Sequence, residues 1–175
     1  MTVSTRPSRL HRILLPLLTG LLPGLFAFAP ASAASPRVWH VRTDGNDSSC
    51  SGLVNAADPG TGVPPRACAF KTPQRAVDST GQGDSVLLHA GKYKTVGAPV
   101  LGRTTIFSLD HRTEFDSEPN RLLISGAGDG TVVFDGSGSI DTAVIIADTS
   151  YVTVQGIEMM DFTAGAATSG TWGAA

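Results

Sequence analysis

The stretch that decides the fold runs from Leu122 to Ile157 and reads LLISGAGDGTVVFDGSGSIDTAVIIADTSYVTVQGI. It holds four short runs of apolar or β-branched residues, separated by turns rich in glycine, aspartate and serine. Such runs favour strands, and Gly, Asp and Ser favour tight turns. The runs begin 8 to 12 residues apart, at Leu122, Val132, Val144 and Val152. This spacing is typical of a β-sandwich or barrel, or of a solenoid with three short strands per coil.

Three features favour the solenoid. Most connections are too short and glycine-rich for the long crossings of a Greek key. The segment Tyr151–Glu158 places a strand, a glycine and a second strand in succession, which suits a coil that turns between two sheets. A helix before the first regular strand would cover the open end of a solenoid. The predicted strands are Val38–Val41, Ser85–His89, Thr104–Ser108, Arg121–Ser125, Thr131–Phe134, Ala143–Ala147, Tyr151–Gln155 and Ile157–Met160.

The one predicted helix lies upstream of these regular strands. Thr72 suits its N-cap, Pro73 its first position and Gly81 its C-terminal cap, with Gln74–Asp78 between them. Two turns are stable only if their apolar side chains are buried against the rest of the chain. The side chains concerned are Phe70, Ala76 and Val77.

Residues 1–33 have the three-part order of a secretory signal peptide. A basic start precedes the apolar run Ile13–Ala29 and the small residues Ala31–Ala33, and we predict cleavage after Ala33. A retained membrane anchor is the alternative, but Pro and Gly interrupt a run shorter than the roughly 20 apolar residues of a span. We therefore expect a secreted, extracellular protein with no membrane contact after cleavage. The basic start contains Arg6, Arg9, His11 and Arg12.

The net charge limits the classes of binding partner that we expect, and the cysteines indicate the redox compartment. The leader holds three of the 13 Lys and Arg residues and none of the 15 acidic ones, so residues 34–175 carry a net charge of −5. Nucleic acid is excluded because no basic cluster exists to bind phosphates. This acidic surface gives no general electrostatic attraction to polyanionic sugars either, unless a groove is locally basic or a cation bridges the protein and the sugar.

In an exported chain, Cys50 and Cys68 are expected to form a disulfide, which would stabilise the fold by about 3 kcal/mol.

Short motifs occur in a characteristic order along residues 38–162. They are Asp44–Asp47, Cys68–Val77, Gly83–Leu88, Gly91–Tyr93, Ile124–Gly126, Val132–Gly136 and Val152–Ile157. This order resembles the N-terminal cap and first coils of secreted right-handed β-helix proteins of the pectate-lyase-like superfamily. The resemblance implies an all-β fold, a right-handed parallel β-helix (solenoid) with a short N-terminal capping helix. Residues 34–84 would form the cap with the disulfide loop and helix, and residues 85–162 the first coils.

The resemblance also implies an activity on polysaccharides. In such lyases, carboxylates hold Ca²⁺ against a uronate and a Lys or Arg removes a proton; the hydrolases instead pair carboxylates. These groups usually lie on later coils, and residues 163–175 read as an irregular tail without a cap. We therefore expect the N-terminal piece of a longer protein that cleaves an acidic polysaccharide by lyase-type chemistry, with Ca²⁺ in the complete protein. The alternative is a non-catalytic β-helix that binds glycans or cell surfaces.

One segment is a candidate for sugar binding. Residues 110–120 form a charged excursion between two predicted strands, and insertions in solenoids often line the binding flank. Arg112 and Glu114 would supply polar contacts and Phe115 a stacking surface, with an ordinary solvated loop as the alternative. Other polar residues are interpreted as structural: the aspartates as turn residues, the histidines as packed or solvated. These are Asp44, Asp47, Asp129, Asp135, Asp141, Asp148, Asp161, His89 and His111.

Overall fold

The computed structural model of this chain describes residues 35–97 and 99–164. The predicted signal peptide and residues 165–175 of the predicted tail lie outside the described residues. The described part is mostly parallel strands with one short α-helix and one turn of 3-10 helix at Glu118–Asn120, an all-β arrangement. Within it, no helix has the length and apolar character needed to cross a bilayer. The elements are β1 Val38–Val41, α1 Pro73–Asp78, β2 Ser85–Leu88, β3 Gly91–Tyr93, β4 Thr105–Asp110, β5 Leu122–Gly126, β6 Val132–Asp135, β7 Thr142–Ala147, β8 Val152–Gln155 and β9 Glu158–Met160.

The strands form three sheets in which every pairing is parallel. The first sheet has the order β1-β2-β5-β8, the second β3-β6-β9 and the third β4-β7. From β2 onward, each sheet therefore takes every third strand of the chain. Parallel neighbours cannot be joined by a tight hairpin, so the chain leaves each sheet and visits the other two before it returns. None of the three sheets closes on itself among the described residues.

The predicted strands all have counterparts, but the sequence pattern missed β3. Gly91 opens this strand and pairs with Val132 in β6. Its φ of 151° and the 2.7 Å that would separate an added Cβ from Thr43 Cγ2 explain why glycine is needed there. Tyr93 ends the strand and is buried, as expected of a residue that covers the core.

The core lies between the three sheets. Val86 and Leu88 of β2 are fully buried, whereas Leu87 between them faces the other side. This alternation is the one expected of a strand with one face in the core. Phe134 of β6 contacts Tyr93 of β3 and Phe107 of β4 edge to face, with ring centroids 6.1 and 6.0 Å apart. The aromatic contacts therefore join the second sheet to the third.

The predicted helix is confirmed, except at its end. The Thr72 hydroxyl accepts a hydrogen bond from the Arg75 N–H at 3.3 Å, and Phe70, Ala76 and Val77 are buried. The prediction that Gly81 caps the helix is wrong. Ser79 is the cap because its N–H reaches the last carbonyls. The Gly81 N–H instead donates to the Asp84 carboxylate at 2.9 Å.

The predicted disulfide joins Cys50 to Cys68 and lies in a cap that covers the free edge of β1. His40 donates its N–H to the Gly52 carbonyl at 2.7 Å, and its own carbonyl accepts from the Phe70 N–H at 2.9 Å. An exposed strand edge invites pairing with other chains, and the loop closed by the disulfide prevents this on β1.

Candidate functional site

Three polar side chains meet at one edge of the first sheet. His40 lies in β1, His89 directly follows β2, and Asp129 lies in the connection after β5. β1, β2 and β5 are parallel neighbours, with Val41 aligned to Leu88 and Leu88 to Gly126. The carboxyl ends of the three strands therefore bring together residues that are 40 and 49 positions apart in the sequence.

These side chains form a continuous relay. His40 Nδ1 lies 3.0 Å from His89 Nε2, and the two rings stack with centroids 5.3 Å apart. His89 Nδ1 lies 2.6 Å from Asp129 Oδ2, and Asp129 Oδ1 accepts the Ala90 N–H at 3.0 Å. His89 has a side-chain exposure of 7%, so it bridges a half-buried imidazole and a carboxylate with 44% exposure. The relay therefore runs through a buried middle member.

The electrostatics favour a neutral His40 and an ionised Asp129. Burial lowers the pKa of the His40 imidazole below its ordinary value, and the neighbouring His89 lowers it further. The hydrogen bond from His89 lowers the pKa of Asp129. At neutral pH the relay therefore begins with a carboxylate and ends with an uncharged imidazole.

The relay borders an open, polar cleft of about 310 Å³. Arg42, two residues after His40, donates to both oxygens of Asp44 at 2.8 and 2.9 Å. A third Arg42 donor reaches the Asn55 side chain at 3.0 Å. The pKa of Asp44 is lowered mainly by this hydrogen bonding to Arg42. The cleft is lined by Arg42, Thr43, Asp44, His89, Ala90 and Asp129.

Tyr93 fixes the backbone beneath the relay. Its buried hydroxyl lies 2.9 Å from the Val41 carbonyl oxygen and 2.7 Å from that of His89. Burial raises the pKa of this hydroxyl, so it remains a hydrogen-bond donor across the physiological range. One side chain from β3 thereby holds the end of β1 and the residue that carries the central imidazole.

The predicted sugar-binding residues lie elsewhere, against helix α1. Arg112 donates to the Thr80 carbonyl at 2.8 Å, pairs with Glu114, and lies over the Phe115 ring at 5.1 Å. Phe115 is only 1% exposed. A sugar stacks on an exposed ring, so the expected stacking role of Phe115 does not fit; its ring packs in the core. Sugar contacts by Arg112 and Glu114 stay a prediction.

A second cleft, of about 300 Å³, lies beside this segment. Its exposed aromatic ring belongs to Tyr151, which is 39% exposed and has the Arg121 guanidinium 5.8 Å from its ring centroid. An exposed ring next to polar groups is the usual basis of sugar stacking. The cleft is lined by Arg112, Thr113, Phe115, Asp116, Asp148, Ser150 and Tyr151.

The other aspartates make specific contacts. Asp135, with a side-chain exposure of 5%, accepts the Ser137 N–H at 2.7 Å in a local turn, as predicted. It also pairs with Lys92 and Lys94, each at 3.1 Å. The hydrogen bond from the Ser137 N–H, and after it the two lysines, hold the pKa of Asp135 well below the usual range. Asp141 instead accepts the Thr104 N–H at 2.8 Å and so ties two connections together. The interpretation as simple turn residues is therefore right for Asp135 and incomplete for Asp129 and Asp141.

One exposed cluster among the described residues has free metal-binding groups. It consists of Asp110, His111 and Asp148, at the carboxyl ends of β4 and β7. The His111 ring lies between the carboxylates, 2.7 Å from Asp110 and 3.1 Å from Asp148. Calcium takes six to eight oxygen ligands, so this imidazole-centred cluster does not fit the ion that the resemblance implies. The other group, Cys50, Asp58 and Cys68, has its thiols in the disulfide.

Sequence reasoning missed the relay because its members are distant in sequence and each has an ordinary role when taken alone. His89 was interpreted as packed or solvated, and Asp129 as a turn residue. The available signal was positional, since His89 is the last residue of one predicted strand and Asp129 lies four residues after the end of another, Arg121–Ser125. Only the strand register makes these positions neighbours. A comparison of the chain with protein-family profiles, curated proteins and solved structures finds no match.

Proposed function

We propose that residues 34–84 form the cap and residues 85–162 the first coils of a right-handed parallel β-helix, in a secreted protein that cleaves an acidic polysaccharide by lyase-type elimination. The observation that carries this proposal is the all-parallel pairing of every third strand. A chain that visits three sheets in turn and returns beside its own previous strand follows the path of a three-sheet solenoid. The right hand is the expected one, because parallel crossover connections are right-handed in about 98% of cases.

The strand register supports the coil interpretation. Val86 aligns with Ile124, and Ile124 with Val154, so the aligned residues are 38 and 30 positions apart. In the second sheet, Tyr93 aligns with Phe134 and Phe134 with Met159. Repeats of 20 to 50 residues are typical of solenoids.

Secretion and substrate class rest on separate features. The leader-like residues 1–33 and the Cys50–Cys68 disulfide both favour an oxidising, extracellular location. Elimination from a uronate requires a base and a group that interacts with the carboxyl group. The first cleft offers the His89 imidazole and the Arg42 guanidinium. Its two carboxylates, Asp44 and Asp129, are already hydrogen-bonded to these same two groups, which supports the lyase over a hydrolase that needs a free carboxylate pair.

A non-catalytic glycan-binding protein is the second candidate. The observation that favours it is the cleft beside the exposed ring of Tyr151. Binding there requires no proton transfer and no metal.

The test uses the whole exported chain with polygalacturonate, alginate and a neutral dextran, in calcium and in chelator. A lyase produces unsaturated sugar ends, so ultraviolet absorbance should rise with an acidic polysaccharide and stay flat with dextran. Co-sedimentation with the insoluble polysaccharides is measured in parallel. Binding without a rise in absorbance would favour the second candidate. Neither binding nor absorbance with any polysaccharide would overturn both.

A further inference from the structure

The outer end of the relay is not fully buried. His40 uses Nδ1 to contact His89, and Nε2 has no partner among the described residues. No buried side-chain nitrogen in that part of the chain lacks a hydrogen bond. The Nε2 atom of His40 therefore reaches solvent.

The hydrogen bonds also determine which nitrogen carries the proton. An ionised carboxylate only accepts hydrogen bonds, so when the His89 ring carries a single proton, the contact with Asp129 places that proton on Nδ1. His89 Nε2 is then an acceptor, and the His40 Nδ1–H donates to it. Neutral His40 is left with an unprotonated, solvent-facing Nε2, which is the form of imidazole that acts as a base.

Arg42 has capacity left for a ligand. A guanidinium has five N–H donors. Three of them are used by Asp44 and Asn55, which leaves two without a partner among the described residues. Arg42 follows His40 by two positions on the same strand path, and alternation places both side chains on the outer side of the first sheet. Residues two positions apart on an extended chain are separated by about 6.6 Å, so a carboxyl group bound by Arg42 would lie on the same side of the sheet as His40.

We propose that His40 is the proton acceptor of the elimination, with Arg42 as the contact to the uronate carboxyl group and with His89 and Asp129 as positioning residues. This inference rests on the proposed function. His40 Nε2 takes the proton from the carbon next to the carboxyl group, and the C–H electron pair becomes the new C=C bond. The glycosidic C–O bond on the adjacent carbon breaks, and its oxygen takes a proton from water. His40 then returns its proton to solvent.

The charges around the site predict how the reaction depends on salt concentration and pH. Arg42, Asp44 and Asp129 give the cleft one positive and two negative charges, and the Tyr93 hydroxyl beneath it is neutral. An acidic polysaccharide is therefore mildly repelled, and its KM should fall as added salt screens this repulsion. Because the pKa of His40 lies below 6.5, kcat/KM should rise with pH and reach its plateau below or near that value.

The decisive experiment combines ¹⁵N NMR of the histidine rings with kinetics of H40Q, D129N and the control H111Q. His111 is the matched control because it is an exposed histidine at the carboxyl ends of β4 and β7. The NMR spectrum of the wild-type chain should show His40 as the Nδ1–H form at neutral pH, with this preference weakened in D129N. H40Q should lose about 10²- to 10⁴-fold in kcat, with KM little changed, whereas H111Q should retain full activity.

The possible failures are distinguishable. A wild-type His40 that is protonated on Nε2, or cationic at neutral pH, would overturn the base assignment whether or not any polysaccharide is cleaved. Full activity in H40Q would overturn it too. A correct His40 tautomer in a chain that cleaves nothing would overturn the proposed function and the elimination step, while the hydrogen-bonded order of the relay would stand. A wild-type-like backbone amide spectrum for β4 and β7 in H40Q, away from the substituted ring, serves as the check on folding.

Discussion

The two ends of the strand stack differ sharply in burial. At the β1 end, the cap pairs with the strand edge and Val41 and Phe70 are 0% and 2% exposed. At the β8–β9 end of the described residues, Tyr151, Met159 and Met160 are 39%, 52% and 42% exposed. Both ends are built from short apolar runs of similar composition. The difference shows that burial here comes from a neighbouring layer on each side, rather than from the composition of the run itself.

Phe134 and Met159 give the clearest comparison, because they are register partners in adjacent strands. Phe134 has layers on both sides and is fully buried, whereas Met159 is half exposed. We expect Phe134→Ala to lower the free energy of unfolding by about 3 to 5 kcal/mol, because it leaves a cavity among Tyr93 and Phe107. Met159→Ala should cost less than about 1 kcal/mol. Chemical denaturation measures both, and equal losses would contradict the account.

Removal of the disulfide tests how much the stability of the capped end depends on this covalent link. Replacement of both Cys50 and Cys68 by alanine should reduce the free energy of unfolding by about 3 kcal/mol, as expected for a link across 18 positions. The loss should be accompanied by faster proteolysis within the loop that these cysteines enclose. Unchanged stability and proteolysis would show that the cap holds the β1 edge without the disulfide.

Two glycines allow a comparison between a position where two backbone segments approach closely, Gly45, and a position in an ordinary loop, Gly81. A Cβ at Gly45 would lie 2.3 Å from the Phe70 carbonyl oxygen, whereas at Gly81 the nearest atom is 4.0 Å away. Since backbone cannot move aside cheaply, Gly45→Ala should destabilise by about 1 to 3 kcal/mol. Gly81→Ala is the matched control and should be near neutral in thermal unfolding. A neutral Gly45→Ala would mean that the cap is looser than described.

Acidification should lower the free energy of unfolding, because His40 and Asp129 of the relay bind protons less readily in the folded chain than in the unfolded chain. The folded-state pKa values of His40 and Asp129 both lie below their ordinary values of 6.5 and 3.8. The unfolded chain therefore binds protons first, so stability falls as pH drops below about 6.5 through His40 and again below about 3.8 through Asp129. In H40Q the first of these two losses should shrink. Denaturation of both proteins across this pH range checks it, and an unchanged profile in H40Q would exclude His40 as the source.

Features that depend on neighbouring residues could be predicted from the sequence, whereas contacts between residues distant in the sequence could not. Thr72 and Pro73 specify the helix start, and two cysteines leave only one pairing within the chain. β3 was missed because a three-residue strand that begins with glycine has no periodicity to detect. Phe115 was expected to be exposed because its neighbours are charged, yet Arg112 covers its ring. The relay depends on strand register across 40 and 49 positions, which no local pattern encodes.

Residue-resolved hydrogen exchange tests the central claim, that parallel layers stack from a capped end at β1 toward the more exposed β8–β9 end of the described residues. The account predicts the slowest exchange in β2 and β5, which have strands on both sides. β1 should come next because the cap pairs with its edge, and β8 and β9 should exchange fastest. Exchange in β9 as slow as in β5, or in β1 as fast as in β9, would contradict the stacked and capped arrangement.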